Sequence, residues 1–247
     1  MKRHEIINKF IEARGYTRYL EIGIDYPANC FEKVKCDHKV GVEPTPKWGI
    51  NKHKNIAICD SNHFFASSDD SFDLIFVDGL HVADQVYRDI MNAVKFLRKD
   101  GVIIVHDVDC ESEWMGRPQS QYKVGEAWKG DVWKGWYRAT CELVESRAVG
   151  IYTLMTDEGC GIIDFGNPKF SINEETYDPA IAWKDYNNRK QAFLNPITYS
   201  EFESVLSLMP KLTNEKATIS DSELSESGSY KKRRGRSKLS EDTIEST

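Results

Sequence analysis

Apolar positions along this chain fall into short unbroken runs separated by amphipathic stretches, the pattern of a sheet buried on both faces. The runs are Tyr19 to Gly23, Lys39 to Val42, Asn55 to Ile58, Phe72 to Val77 and Val102 to Val105, each closing on acidic, glycine or polar residues. They predict five parallel strands. Ahead of them, Ile6, Ile7, Phe10 and Ile11 share one helical face within His4 to Arg14, and Gly15 supplies a stop. Ala83 to Leu97 carries Val86, Ile90, Ala93, Val94 and Leu97 at helical spacing, so it and its flanking strands predict a right-handed βαβ unit. A brief helix is expected near Asn29 to Val34.

The pattern changes after Asp107 to a polar, aromatic insertion holding Trp114, Tyr122 and Trp128, followed by Trp133, Trp136 and Tyr137. Asp131 is placed to cap a helix from Val132 to Leu143. Gly150 to Met155 and Gly161 to Phe165, joined by Thr-Asp-Glu-Gly-Cys, read as an antiparallel hairpin. Helices are expected over Asp178 to Phe193 and Tyr199 to Leu208. Residues 1–209 thus predict one domain with a helical C-terminal extension. Residues 210–247, rich in Ser, Glu, Lys and Arg, predict a disordered tail. Its basic run, Lys231 to Lys238, reads as a solvated charge run.

A net charge of -6 argues against wholesale nucleic-acid binding and favours a neutral or cationic ligand. Cys30, Cys36, Cys59, Cys110, Cys141 and Cys160 form no CxxC pair or zinc spacing, which fits reduced thiols in a cytoplasmic protein. The sequence predicts no signal peptide and no membrane span.

The strand ends carry the candidate chemistry. Val77-Asp-Gly-Leu-His81 and Val105-His-Asp107 deliver two acids and two imidazoles to the carboxyl edge, where open parallel sheets bind ligands. Asp78, His81, His106 and Asp107 are therefore expected to meet. Tyr19-Leu-Glu-Ile-Gly23 and Val40-Gly-Val-Glu43 add a glycine turn and an acid able to accept from a ribose diol, while Cys59-Asp60-Ser61-Asn62 offers polar groups to an adenine edge.

With these residues in place, the chain resembles the class I S-adenosylmethionine-dependent methyltransferases from Tyr19 through Phe165. Leu20-Glu-Ile-Gly23 is similar to their first motif, Val42-Glu43-Pro44 to the ribose-binding acid, and Asp60-Ser61 to the adenine position. Phe72 to Asp78 is similar to their fourth-strand motif. The resemblance implies an α/β fold: a Rossmann-like, seven-stranded, mostly parallel sheet with a terminal antiparallel hairpin and helices on both faces. It also implies a cofactor site at Glu21, Gly23, Ile24, Asn29, Glu43, Asp60 and Ser61. Within the superfamily, Asp78-Gly-Leu-His81 with His106-Asp107 resembles the small-molecule and sugar O-methyltransferase branch. One departure is that Gly23 is followed by Ile24, Asp25, Tyr26 and Pro27 rather than further glycines.

The implied reaction moves a methyl group onto a hydroxyl of a saccharide, glycan or other small polar acceptor, with His81 or His106 removing the proton and Asp78 or Asp107 orienting it. By the same resemblance, Asp78, His106 and Asp107 could hold magnesium or manganese. The acids Glu21, Glu43, Asp60 and Asp78 suggest an acidic rim suited to a sulfonium. Arg117 and Lys129 could meet an anionic acceptor, and the insertion's tryptophans and Tyr122 could stack on a pyranose. Two rivals stand beside this reading. One is a non-catalytic cofactor-binding adaptor; the other is a nucleotide-dependent oxidoreductase or epimerase, which the missing G-x-G-x-x-G disfavours.

Overall fold

The computed structural model describes residues 1–45, 52–146, 149–172 and 176–208. All lie in the first of two compact units, Met1–Thr213. The expected tail over 210–247, with its basic run, lies outside the described residues.

The apolar runs form strands because each buries side chains on both sheet faces. The seven strands are β1 (Arg18–Ile22), β2 (His38–Val42), β3 (Ile56–Ala57), β4 (Phe72–Val77), β5 (Leu97–Val105), β6 (Gly150–Leu154) and β7 (Cys160–Asp164). They lie in the order β3-β2-β1-β4-β5-β7-β6. The first five pair in parallel, whereas β7 runs antiparallel to both β5 and β6. The order reverses beside β1, which opens a crevice at the carboxyl ends of β1 and β4.

Alternation along each strand sorts side chains between two cores. Leu74, Phe76, Val102 and Ile104 pack on one face with α1 (Arg3–Arg14) and α7 (Tyr199–Ser207). Ile75, Val77, Ile103 and Val105 pack on the other with α2 (Ser61–Ser67), α3 (Ala83–Phe96) and α4 (Val132–Ser146). Gly15 ends α1 in the left-handed conformation at φ 70°, as its position predicts. A third cluster ties α4 and Cys110 of the insertion to α5 (Trp183–Asn188) and α6 (Lys190–Leu194) through Trp133, Tyr137, Tyr186 and Phe193.

Three local expectations are corrected. The continuous helix over Asp178 to Phe193 is two short helices, interrupted at Arg189, whose φ of -110° and ψ of 9° leave the helical region. The Asn29 to Val34 helix is a single 3₁₀ turn, Phe31–Lys33. Asp131 caps a neighbour's helix: its Oδ1 accepts from the Ala83 amide at 2.7 Å. Val82, the residue before α3, offers that helix no side-chain acceptor, so Asp131 fastens the start of α4 to the start of α3.

An ion pair between Arg14 and Asp164 lies inside the protein. Arg14 donates to both carboxylate oxygens of Asp164 at 2.8 and 2.5 Å, and the Tyr152 hydroxyl lies 3.2 Å from Asp164 Oδ2. Both side chains are almost fully buried, so removing one partner strands the other's charge away from water. Asp164→Ala is expected to cost about 3–5 kcal/mol, measured by denaturant unfolding. An unchanged unfolding midpoint would contradict this pairing.

Candidate active site

β4 and β5 end side by side, and their last residues build the cluster. His106 Nδ1 lies 3.3 Å from Asp78 Oδ1 and 3.2 Å from Asp107 Oδ2, while His81 Nε2 lies 3.5 and 3.4 Å from the same two oxygens. The four expected residues therefore come together. Asp107 takes φ 60°, a left-handed conformation unusual outside glycine. Such strain costs on the order of 1–3 kcal/mol and persists where surrounding contacts fix it.

The sequence reading missed Arg3 and Asp157. Arg3 Nη1 donates to Asp78 Oδ2 at 2.6 Å, while its Nε and backbone amide both reach Asp157 Oδ2, at 3.0 and 2.8 Å. The start of α1 is thereby clamped between the hairpin turn and the end of β4. Neither residue carries a local signal: Arg3 opens an ordinary amphipathic helix, and Asp157 sits in a polar turn nearly the length of the domain away. Asp157 adopts φ 48° there, a conformation the sequence alone does not disclose.

These contacts set the charges. Burial opposes ionisation of Asp78, but His106 and His81 outweigh it and hold its carboxyl far below the usual range. Burial likewise opposes the His106 imidazolium, yet Asp78 and Asp107 push its pKa up to about 10; His81 is raised by the same acids. Asp157, despite burial, is held near 2 by Lys2, Arg3 and His106. The resting cluster thus pairs the Asp78 carboxylate with a protonated His106 at neutral pH.

A cavity of about 570 Å³ opens over these groups, bordered by Arg3, Asp25, His81, Trp128, Lys129 and Glu158. The His81 side chain is 22% exposed and that of His106 3%, so His81 is the imidazole an acceptor can reach. Rings continue outward from it: His81 to Trp128 at 5.7 Å, then Trp128 stacked on Tyr122 at 4.7 Å. Trp128 Nε1 donates to the Arg117 carbonyl at 2.8 Å, which fixes the ring.

The two expected anion contacts are occupied within the protein. Arg117 is buried, paired with Glu126, and donates to the carbonyls of Trp114, Gln121 and Ala127. It orders the insertion. Lys129 borders the cavity, but its Nζ reaches Glu111 at 2.8 Å and Glu158 at 2.6 Å.

Among the residues expected to hold a cofactor, Gly23 takes φ 87°, and a Cβ there would collide with the Asp78 backbone carbonyl. Gly23 is therefore fixed by the close approach of the β1 and β4 ends. Gly23→Ala is expected to separate these ends and weaken cofactor binding at least about tenfold, a loss of 1.4 kcal/mol, measured by calorimetry. Unaltered affinity would contradict this role.

Glu43 Oε2 accepts from the Ile24 amide at 3.0 Å and Oε1 from the Thr45 amide at 2.9 Å. Both oxygens retain lone pairs for a diol. The Ile24 amide thus orients Glu43, and the buried Ile24 side chain packs in the core. Asn29 is exposed, with its amide on the Tyr26 carbonyl.

Asp60 and Ser61 have local structural duties. Asp60 caps α2 by accepting from the His63 amide at 2.9 Å, and the Ser61 hydroxyl donates to Asp89 at 2.6 Å. The expected acidic rim is smaller than the sequence suggests. Glu21 is buried beneath the Tyr19 hydroxyl, which donates to it at 2.6 Å, and burial pushes its carboxyl up to about 8. Asp78 is already paired with Arg3.

Residues 37–108 match a family model described as a methyltransferase domain. That segment runs from β2 to the two strand ends carrying Asp78 and Asp107. Over those residues the chain is similar to that methyltransferase domain.

Solved structures are similar to this chain at low identity. A putative O-methyltransferase from Klebsiella pneumoniae is 14% identical, covering 66% of this chain and 79% of its own, at TM-score 0.48. The O-methyltransferase from Bacillus cereus, in complex with SAH, is 16% identical over 66% and 82%, at 0.47. The N-methyltransferase NodS from Bradyrhizobium japonicum WM9 is 20% identical over 68% and 95%, at 0.44. No curated protein matched the sequence significantly. No described helix is long and apolar enough to cross a membrane.

Proposed function

We propose that this protein is an S-adenosylmethionine-dependent methyltransferase that transfers a methyl group to a hydroxyl of a saccharide or other small polar acceptor held over Asp78, His81, His106 and Asp107. The observation that carries the proposal is the cavity-facing imidazole of His81, set between two carboxylates at the mouth of the cofactor crevice. S-adenosylmethionine supplies an electrophilic methyl, and the protein must hold an acceptor oxygen in line with it. A hydroxyl is a weak nucleophile at neutral pH, and a positioned base is worth about 10² to 10⁴ in rate.

His81 acts as that base once it has lost its resting proton, while Asp78 and Asp107 fix its ring and stabilise the imidazolium formed on taking the acceptor proton. His106, deeper and held by the same acids, keeps them in place. Because both acids raise the His81 pKa above 6.5, turnover is expected to climb as pH rises above 6.5. A rate that falls over that range would contradict His81 as base.

A second reading is favoured by one observation: Asp78, His81 and Asp107 can each present a ligand atom within 4.8 Å of the others. This oxygen and nitrogen donor set fits a divalent ion. Manganese suits the imidazole better than magnesium does, and such an ion would acidify the acceptor hydroxyl. His106, expected as the nitrogen ligand, touches both acids but is the less accessible imidazole.

Turnover of labelled cofactor with polar hydroxylated acceptors, in EDTA and after adding magnesium or manganese, tests both readings. Full activity in EDTA supports His81 as base, and activity restored only by metal supports the ion. Absence of O-methyl product under every condition would overturn the proposed function.

A further inference from the structure

A second cavity of about 570 Å³ lies on the far side of the insertion from the cluster. Met115 borders the catalytic cavity, whereas its neighbours Trp114 and Gly116 border this one, so one short stretch walls both. Three of the six tryptophans in the chain, Trp114, Trp133 and Trp183, line it.

Trp114 is 57% exposed, and the Arg117 guanidinium stands 3.8 Å from its ring centre on one face. Arg117 is itself immobilised by Glu126 and backbone carbonyls. The outer face of Trp114 is therefore an open apolar plate on a rigid support, at the mouth of a concave site. Deeper in, the buried Trp133 Nε1 has no hydrogen-bond partner. Gly116 packs closely against that indole edge: a Cβ there would stand 3.1 Å from Nε1 and 2.6 Å from Cys110 Sγ. A buried donor left unpaired costs about 1–3 kcal/mol, a penalty that a ligand oxygen would remove.

Charge narrows the ligand. Glu113 and Asp131 oppose Arg117 and Lys134 around the cavity, so neither an anion nor a cation meets a field of one sign. A flat ring with an apolar face, neutral overall and bearing hydroxyls on its edge, satisfies the open indole, the orphan donor and the balanced charges together. We propose that this cavity is a saccharide subsite that seats a neutral pyranose ring against the open face of Trp114. It stands apart from the methyl-transfer chemistry, because no cluster residue lines it.

The test uses the full chain without cofactor on immobilised neutral oligosaccharides of gluco, galacto and manno configuration. Retention on at least one is expected. Trp114→Ala should weaken it at least about tenfold, Trp114→Phe should retain part of it, and Tyr199→Ala, an exposed aromatic that borders neither cavity, should leave it unchanged. Thermal melting of each variant confirms that it is folded. Retention on none, retention indifferent to Trp114→Ala, or equal loss in Tyr199→Ala would overturn the subsite. If labelled cofactor gives no O-methyl product while Trp114-dependent retention persists, the proposed reaction fails and the subsite stands. Product formation without retention gives the reverse.

Discussion

Asp78→Asn is expected to lower methyl transfer by at least about 10²-fold, the scale of a lost acid–base contribution, while the folded variant still binds cofactor. Asp78 is the one acid that touches Arg3, His81 and His106 together. Asparagine keeps the shape but removes the charge, leaving a guanidinium and two imidazoles around a neutral amide. The histidines then lose the part of their raised proton affinity that Asp78 supplies, and the ring of His81 is held by Asp107 alone of the two acids. Breaking a buried pair typically costs about 3–5 kcal/mol; the Asp78 side chain is 17% exposed, which places the loss near the lower end. Calorimetry with S-adenosylhomocysteine separates the two effects. Normal cofactor affinity with lost turnover supports the assignment, whereas near-normal turnover would exclude Asp78 from the reaction.

The second large effect is on stability as pH rises. The His106 pKa is raised to about 10 from its ordinary 6.5, so the stabilisation from its pairing is fully present below pH 6.5. Between 6.5 and about 10 the unfolded chain releases this proton and the folded chain keeps it, so stability falls with pH, by up to about 1.4 kcal/mol per unit. Asp78 acts at the opposite end: its depressed pKa stabilises the fold above 3.8, and this contribution is lost as pH falls towards its folded-state value. Glu21, raised to about 8 from 4.5, adds its own decline between those values. That contribution is common to wild type and His106→Gln, so it cancels in their difference. In EDTA, the stability advantage of wild type over His106→Gln is expected to shrink steadily from pH 6.5 to 10. A constant difference across that range would refute the paired imidazolium.

The central sheet was legible in the sequence because strands buried on both faces must read as apolar runs, and their polar ends mark where the chain leaves the core. Phe72 to Val77 followed by Asp78 shows this without ambiguity. The four-residue cluster followed from topology, since adjacent parallel strands bring their carboxyl ends together. Short elements were less visible. α2 is only seven residues long, and its cap, Asp60, carries the same chemistry as a ligand contact.

Contacts across long sequence separations were invisible. Nothing near Arg3 announces Asp78, and nothing near Asp131 announces the Ala83 amide, because both depend on how helices pack. Buried charge misled in the same way. Arg117 in a polar insertion looks like an anion receptor, but folding surrounds it with carbonyls and Glu126. Glu21 at a strand end looks like part of an acidic rim, but its side chain lies under the Tyr19 hydroxyl.

The most direct measurement incubates the full chain with methyl-labelled S-adenosylmethionine and a pool of polar hydroxylated metabolites and glycans, beside Asp78→Asn, and identifies the labelled product by mass spectrometry and NMR. The predicted result is a methyl ether on a hydroxylated acceptor, formed by wild type and lost in Asp78→Asn although both bind cofactor. Label on nitrogen or carbon, equal product from the variant, or cofactor binding without any labelled product would contradict an O-methyltransferase working through the Asp78 cluster.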